Sequence, residues 1–206
     1  MNKLLLIISA SMNKCKIYIV SVFTVYCLSC LVGIIMVQTD NNFALSQRDM
    51  LVGTATQADK ASINYQEGNR LTATLYDFSG NLFFSAIQTF LGLGIVIPYF
   101  TVSYQGWVGG IVSVNNFHKS RLKELKSALY FFIVLILQFI AYSLSIGVGI
   151  KTGIEAYKQN KTISWKLWKY RISKESLLDV RNIYMLSIPI FFIASLFDFF
   201  SSWNIG

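Results

Sequence analysis

Long apolar runs separated by short polar or basic stretches set the pattern of the chain. Ile17 to Val37 is one such run, with no charge inside it. Ser127 to Ile150 is a second, and Ile183 to Trp203 a third, interrupted by Pro189 and Asp198. A helix that crosses a bilayer needs about 20 apolar residues, and each run supplies them. The stretch from Phe78 to Phe117 is different: 40 residues carry no charge, and Pro98 lies near the middle. As one helix it would be about 60 Å long, twice the hydrocarbon thickness. It must fold back, as a full hairpin or as one span plus a re-entrant half. Pro98, Gly106, Gly109 and Gly110 supply the breaks, through a missing donor and tolerance of turn conformations. The expected fold is an all-α polytopic membrane helix bundle forming a single integral membrane domain over residues 1–206. It has about five spans, near 17–37, 79–98, 101–117, 127–150 and 183–203, with a broken or re-entrant segment around Pro98–Gly110.

Composition agrees with this pattern. Hydrophobic residues make up 54% of the chain and charged residues only 14%, with mean hydropathy +0.51. Soluble domains carry about a quarter charged residues, so an ordinary soluble enzyme or a disordered chain is excluded. Three cysteines do not make a disulfide scaffold.

Charge orients the spans. Three lysines precede the first run, and residues 151–182 hold eight basic residues. Residues 38–77 hold three, and His118 to Lys126 hold four. With five spans and a cytoplasmic N-terminus, eleven basic residues lie inside and seven outside, as the positive-inside rule prefers. A four-span chain with its N-terminus outside gives the same count. The expected location is the cell membrane, multi-pass, with the N-terminus cytoplasmic. Leu4 to Ile8 is too short an apolar core for a cleavable signal peptide. Gln38 to Asp77 is too polar to insert, and its apolar positions fall near helical spacing. It reads as one or two helices at the outer surface, with Gly53 and Gly68 as weak points.

Residues that could carry chemistry are few. Cys27-Leu-Ser-Cys30 has the spacing of a redox or metal pair but lies deep in the first span, where thiolate formation is opposed. With Gly33 it reads as a small-residue packing face. Cys15 reads as a spectator thiol. His118 is the only histidine, and one histidine cannot build a zinc site. Ser113 and His118 lack the turn that a nucleophilic serine needs. No phosphate loop or nucleotide fingerprint is present, and no cofactor is expected. Gln88, Gln105, Gln138 and Asp198 lie in or near apolar runs. Amides at such depth hydrogen-bond neighbouring helices.

Ser143 and Gly147 are four residues apart, as are Gly149 and Gly153. Small residues at this spacing let helix backbones approach closely, so these four mark a packing stripe, within the subunit or across a homo-oligomer. Lys151 sits between the two glycines and is expected to snorkel to the cytoplasmic interface. Lys161, Trp165, Lys166, Trp168, Lys169 and Arg171 interleave charge with indoles beside a span. This pattern fits anionic lipid at headgroup level rather than nucleic acid.

Two stretches resemble the stage II sporulation protein M family of small multi-span membrane proteins. Asn81 through Gly92 and Gly94 to Gln105-Gly106-Trp107-Val108-Gly109 is similar to the family's asparagine-led span, glycine turn and Asn-Gly-x-x-Gly signature, with Gln105 in place of the second asparagine. Gln138-Phe-Ile-Ala141 running to Gly149-Ile-Lys151-Thr-Gly153 is similar to a family pattern of Glu-x-Pro-Ala followed by Gly-x-Arg-x-Gly. Ala141, Gly149 and Gly153 match and Lys151 keeps the charge. Gln138 replaces the glutamate, Ile140 replaces the proline, and the family's His-Gly pair is absent. The likeness spans Asn81 to Gly153. It implies a non-catalytic protein; the family's namesake helps localise peptidoglycan-degrading partners during sporulation.

The expected function is a non-enzymatic integral membrane scaffold that recruits or organises partner membrane or envelope proteins. The rival is a small transporter or channel subunit using the broken 78–117 segment, with Gln88, Gln105, Asn115 and Asn116 as polar lining.

Overall fold

The computed structural model describes residues 3–160 and 172–200, with side chains for residues 5–159 and 172–200. Among the described residues the chain is helical, without strands. In order come α1 (Lys3–Gln38), α2 (Asn42–Ala58), α3 (Lys60–Gln66), α4 (Arg70–Leu91), α5 (Ile97–Ile111), α6 (Leu125–Asn160) and α7 (Lys174–Phe200). Three of these contain stretches long and apolar enough to cross a membrane: Leu5–Gln38, Leu125–Gln159 and Lys174–Phe200.

The 40-residue uncharged stretch breaks at Gly92–Val96 and not around Pro98–Gly110 as expected: Gly106, Gly109 and Gly110 lie inside the continuous helix α5, where they serve close packing and not a turn. Gly92–Gly94 form one 3-10 turn, and Ile95 follows at φ +57°. That conformation is rare for a β-branched residue. The amides of Ile95 and Val96 donate to Gly92 and Gly94 carbonyls at 2.9 and 2.6 Å, which holds the turn. Pro98 sits in the first turn of α5 instead. There its missing N–H costs nothing, because first-turn amides have no intrahelical acceptor. The chain then reverses. Ser21 meets Tyr99 at 2.6 Å and Trp107 Nε1 donates to Met36 Sδ at 3.3 Å, so α5 runs parallel to α1. Tyr142 donates to Asn81 and Thr89 to the Ser145 carbonyl, so α4 runs parallel to α6. α7 opposes α4 and α6 in direction, since Asp77 meets Ser195 while Thr89 meets Tyr184.

α6 is the central helix. Phe131, Leu135, Phe139, Tyr142, Ile146 and Ile150 are buried along it. Phe139 stacks on Tyr26 at 4.8 Å, and Tyr142 meets Phe191 edge-on at 4.8 Å. The outer face of α1 is the reverse case. Leu28, Leu31, Val32 and Ile35 are each more than half exposed, which suits hydrocarbon and not water.

Close backbone contacts decide which helices pair. At Gly106 a Cβ would lie 2.7 Å from the Tyr26 carbonyl, and at Gly33 3.0 Å from Gly110 Cα, so only glycine lets α5 seat on α1. At Gly149 a Cβ would lie 2.8 Å from Thr89 Cα, and at Gly153 2.9 Å from Leu93 Cα. α6 and the end of α4 therefore touch backbone to backbone. Gly147 packs the same way on Ile19 of α1.

Residues 38–70 form a helical cap on one end of the bundle. Asn41 caps α2 by accepting from the Ala44 amide at 3.1 Å, and Asp59 caps α3 through Ser62 at 2.9 Å. α2 runs straight through Gly53, whereas Gly68, at φ +83°, makes the turn into α4. Arg48 fastens the cap by donating to Asn116 at 2.8 Å, and Asp49 lies 2.9 Å from His118. Partial burial disfavours the Asp49 charge, but hydrogen bonds from His118 and Arg48 outweigh it and hold the carboxyl below its ordinary value.

Gly149→Leu is expected to overpack the α4–α6 contact and lower stability by about 1–3 kcal/mol. Gly53→Ala, where a Cβ meets nothing within 4 Å, is expected to leave stability unchanged or slightly raised. Thermal unfolding of both variants in one detergent checks the pair.

Candidate functional site

The glycine contacts pull the two arms of the broken segment apart. α5 is held on α1 and α4 on α6 and α7, so α4 and α5 barely touch each other. A cleft of about 320 Å³ fills the gap between α1, α4, α5 and α6. Its walls bring together side chains distant in sequence. Tyr26 donates to Gln105 Oε1 at 2.6 Å, and Tyr142 donates to Asn81 Oδ1 at 2.7 Å. Gln138, one helical turn before Tyr142 on α6, and Gly109 of α5 line the same cleft. None of the lining residues carries a charge.

The cleft connects to the cap end through one hydrogen-bonded chain. Asn81 Nδ2 donates to Asp77 Oδ2 at 2.9 Å, and Ser195 donates to the same oxygen at 2.6 Å. Asp77 also lines a second cavity of about 630 Å³ beneath the cap, together with Asp59, Asp198, Arg70 and Asn116. Below the cleft, two turns further along the Asn81 face of α4, Gln88 is fully buried. It accepts from Thr101 at 2.7 Å, and its Nε2 has no partner among the described residues.

A second polar centre lies at the opposite end of the bundle. Lys151 Nζ sits 2.7 Å from Asp179 and 2.8 Å from Glu155, with the Lys151 and Asp179 side chains about 5% and 4% exposed. Ser11 donates to Asp179 at 2.7 Å, and Asn182 donates to Ser11 at 3.0 Å. Lys14 pairs with Glu175 at 2.5 Å at the rim. Charges on α1, α6 and α7 thus converge at one level. Lys151 does not snorkel outward, contrary to the expectation from its place between two glycines. A buried carboxylate on the facing helix offers it a closer and fixed partner.

The remaining sequence candidates fall as follows. Gly149, Gly153 and Gly92 lie in the contact of α6 with the end of α4, Gly106 of α5 packs against α1, and Ala141 is in the core. Ser143 is fully buried, and its hydroxyl has no hydrogen-bond partner among the described residues. Cys30 and Gly33 face α5, and Cys15 is buried against Leu144, Val148 and Ile183. His118 pairs with Asp49, and Ser113 is buried apart, its hydroxyl without a hydrogen-bond partner among the described residues. Among the described residues no group of His, Cys, Asp and Glu could hold a metal ion. Lys161, Trp165, Lys166, Trp168, Lys169 and Arg171 lie outside the described residues. Sequence reasoning missed Tyr26, Asp77, Tyr142 and Asp179. Asp77 and Asp179 sit at the ends of polar stretches and look like loop charges. The tyrosines are indistinguishable from apolar span residues until their hydroxyls have partners.

Asp179→Asn is expected to lower stability, by less than the about 3–5 kcal/mol of a fully stranded buried charge, because Lys151 keeps Glu155 at 2.8 Å. The double change Lys151→Met with Asp179→Leu is expected to recover most of that loss. Chemical denaturation in detergent micelles distinguishes the two. No family model, curated protein or solved structure matches this chain.

Proposed function

We propose that the protein is a non-catalytic scaffold of the cell membrane that organises partner membrane or envelope proteins through its cap. In this reading α4 and α5 join the three long apolar helices as membrane passes, giving five. The N-terminus and the Lys151–Asp179 level lie toward the cytoplasm, and the cap lies outside. The distribution of lysine and arginine supports that orientation. Anionic lipid meets residues 161–171 on the cytoplasmic side.

The observation that carries the proposal is the cap. It is fixed to the bundle by Arg48 and Asp49, so its outer surface has a defined position. On one face of α2, two turns apart, Phe43 and Met50 are 62% and 54% exposed; the Phe43 ring stacks on Trp107 of α5 at 5.9 Å, which fixes this face at the flank of the cap and leaves Met50 open. α2 is too polar to dissolve in hydrocarbon, and large apolar side chains held on a fixed polar helix suit a protein partner. The resemblance of Asn81 to Gly153 to the stage II sporulation protein M family points the same way, toward recruitment rather than catalysis.

A photoreactive residue in place of Met50 is expected to yield a discrete protein adduct in native membranes. The same group in place of Phe100, on the exposed face of α5, is expected to yield only lipid adducts. In a cysteine-free background, Lys119→Cys is expected to react with an impermeant maleimide from outside the cell. Lipid adducts alone at Met50, or labelling of Lys119→Cys only after permeabilisation, would rule the reading out.

A further inference from the structure

We propose that the cleft between α1, α4, α5 and α6 binds the neutral, hydroxyl-bearing head of a membrane lipid, which approaches sideways from the bilayer. The inference rests on the five-pass membrane reading above and is independent of the scaffold role and of any partner at the cap.

Depth is the first argument. Gln138 lies 13 residues after the start of α6, and Tyr26 lies 12 residues before the end of α1. At about 1.5 Å per residue both are some 20 Å from the cap end, within a hydrocarbon core of about 30 Å. Amides and phenols at that depth have no water to bond, so they need partners. Tyr26, Asn81, Gln105 and Tyr142 meet one another only in part. Gln105 uses one carbonyl oxygen, and its two N–H donors take no part in the bond to Tyr26. Gln138 lines the cleft without forming a side-chain hydrogen bond to another described residue. A ligand with hydroxyl groups supplies both donors and acceptors to such a set.

Charge and shape narrow the ligand. With no charged residue in the walls, a phosphate or ammonium group would be left uncompensated at low dielectric. The volume of about 320 Å³ lies at the lower edge of ligand pockets, which suits a head group and not a whole lipid or a helix. The rest of the ligand needs an apolar exit. α4 and α5 diverge, and the flanking surface carries Phe84, Tyr104 and Ile136, all exposed. Tails can therefore remain in hydrocarbon while the head is held inside. Asn81, which bonds both Tyr142 and Asp77, links this position to the polar cavity under the cap.

Free polyols share the hydroxyl chemistry, so the test separates the two sources. The full chain in mild detergent is titrated with dioleoylglycerol or with phosphatidylglycerol and read by native mass spectrometry. Dioleoylglycerol is expected to stay bound where phosphatidylglycerol does not. Gln138→Leu removes a hydrogen-bonding group and is expected to lower retention about fivefold at unchanged melting temperature. Val108→Trp fills the cleft without altering a polar group and is expected to abolish retention. Equal retention of both lipids, or undiminished retention in both variants, overturns the proposal. Glycerol uptake into proteoliposomes that depends on Gln138, without lipid retention, overturns the lipid source and assigns the cleft to a free solute.

Discussion

Backbone contact at glycine governs the arrangement of this bundle. Between apolar helices in hydrocarbon there is no gain from excluding water, so association depends on close packing and hydrogen bonds. Gly33, Gly106 and Gly110 let α5 lie directly on α1, while Gly92, Gly149 and Gly153 let α4 lie directly on α6. Each contact excludes even one methyl group. The hairpin formed by α4 and α5 is thereby divided between two partners. Its arms cannot close on each other, and the cleft is the consequence.

Polar side chains then complete what the glycines begin. Within a close-packed apolar bundle, every buried hydroxyl and amide gains by finding a partner on another helix. Thr89 reaches both the Ser145 carbonyl and Tyr184, which ties α4 to α6 and α7 beside the glycine contact. Ser21 with Tyr99 and Tyr26 with Gln105 do the same for α1 and α5. Lys151, Asp179 and Ser11 fasten α1, α6 and α7 together at the level of the Gly92–Gly94 turn. Such a pair gives little net stability over an apolar substitute, but it allows only one register.

The two ends of the bundle differ in chemistry. One gathers lysines and carboxylates that neutralise one another at close range. At the other, beneath the polar cap, Asp59 of the cap, Asp77 of α4 and Asp198 of α7 line a cavity joined to the cleft by Asn81. Polar groups thus continue from the cap into the apolar interior along a single side of α4, through Asp77, Asn81 and Gln88.

Hydropathy along the chain determines the helical class, the long apolar helices, the break in the 78–117 segment and the helical nature of residues 42–66, because these depend on local composition and period. It also marks Gly149 and Gly153 as small residues on one face. It does not say which helix meets that face, since spacing encodes a direction around one axis and nothing about the neighbour. The break falls at Gly92–Val96 because the turn must leave Gly92 against Gly149, a requirement visible only once α4 and α6 are paired. Lys151 finds Asp179, and Ser11 finds it too across 168 residues, for the same reason. Tyr26, Asn81, Gln105, Gln138 and Tyr142 become one site only through tertiary structure, which brings three apolar runs side by side and leaves their few polar groups facing one space.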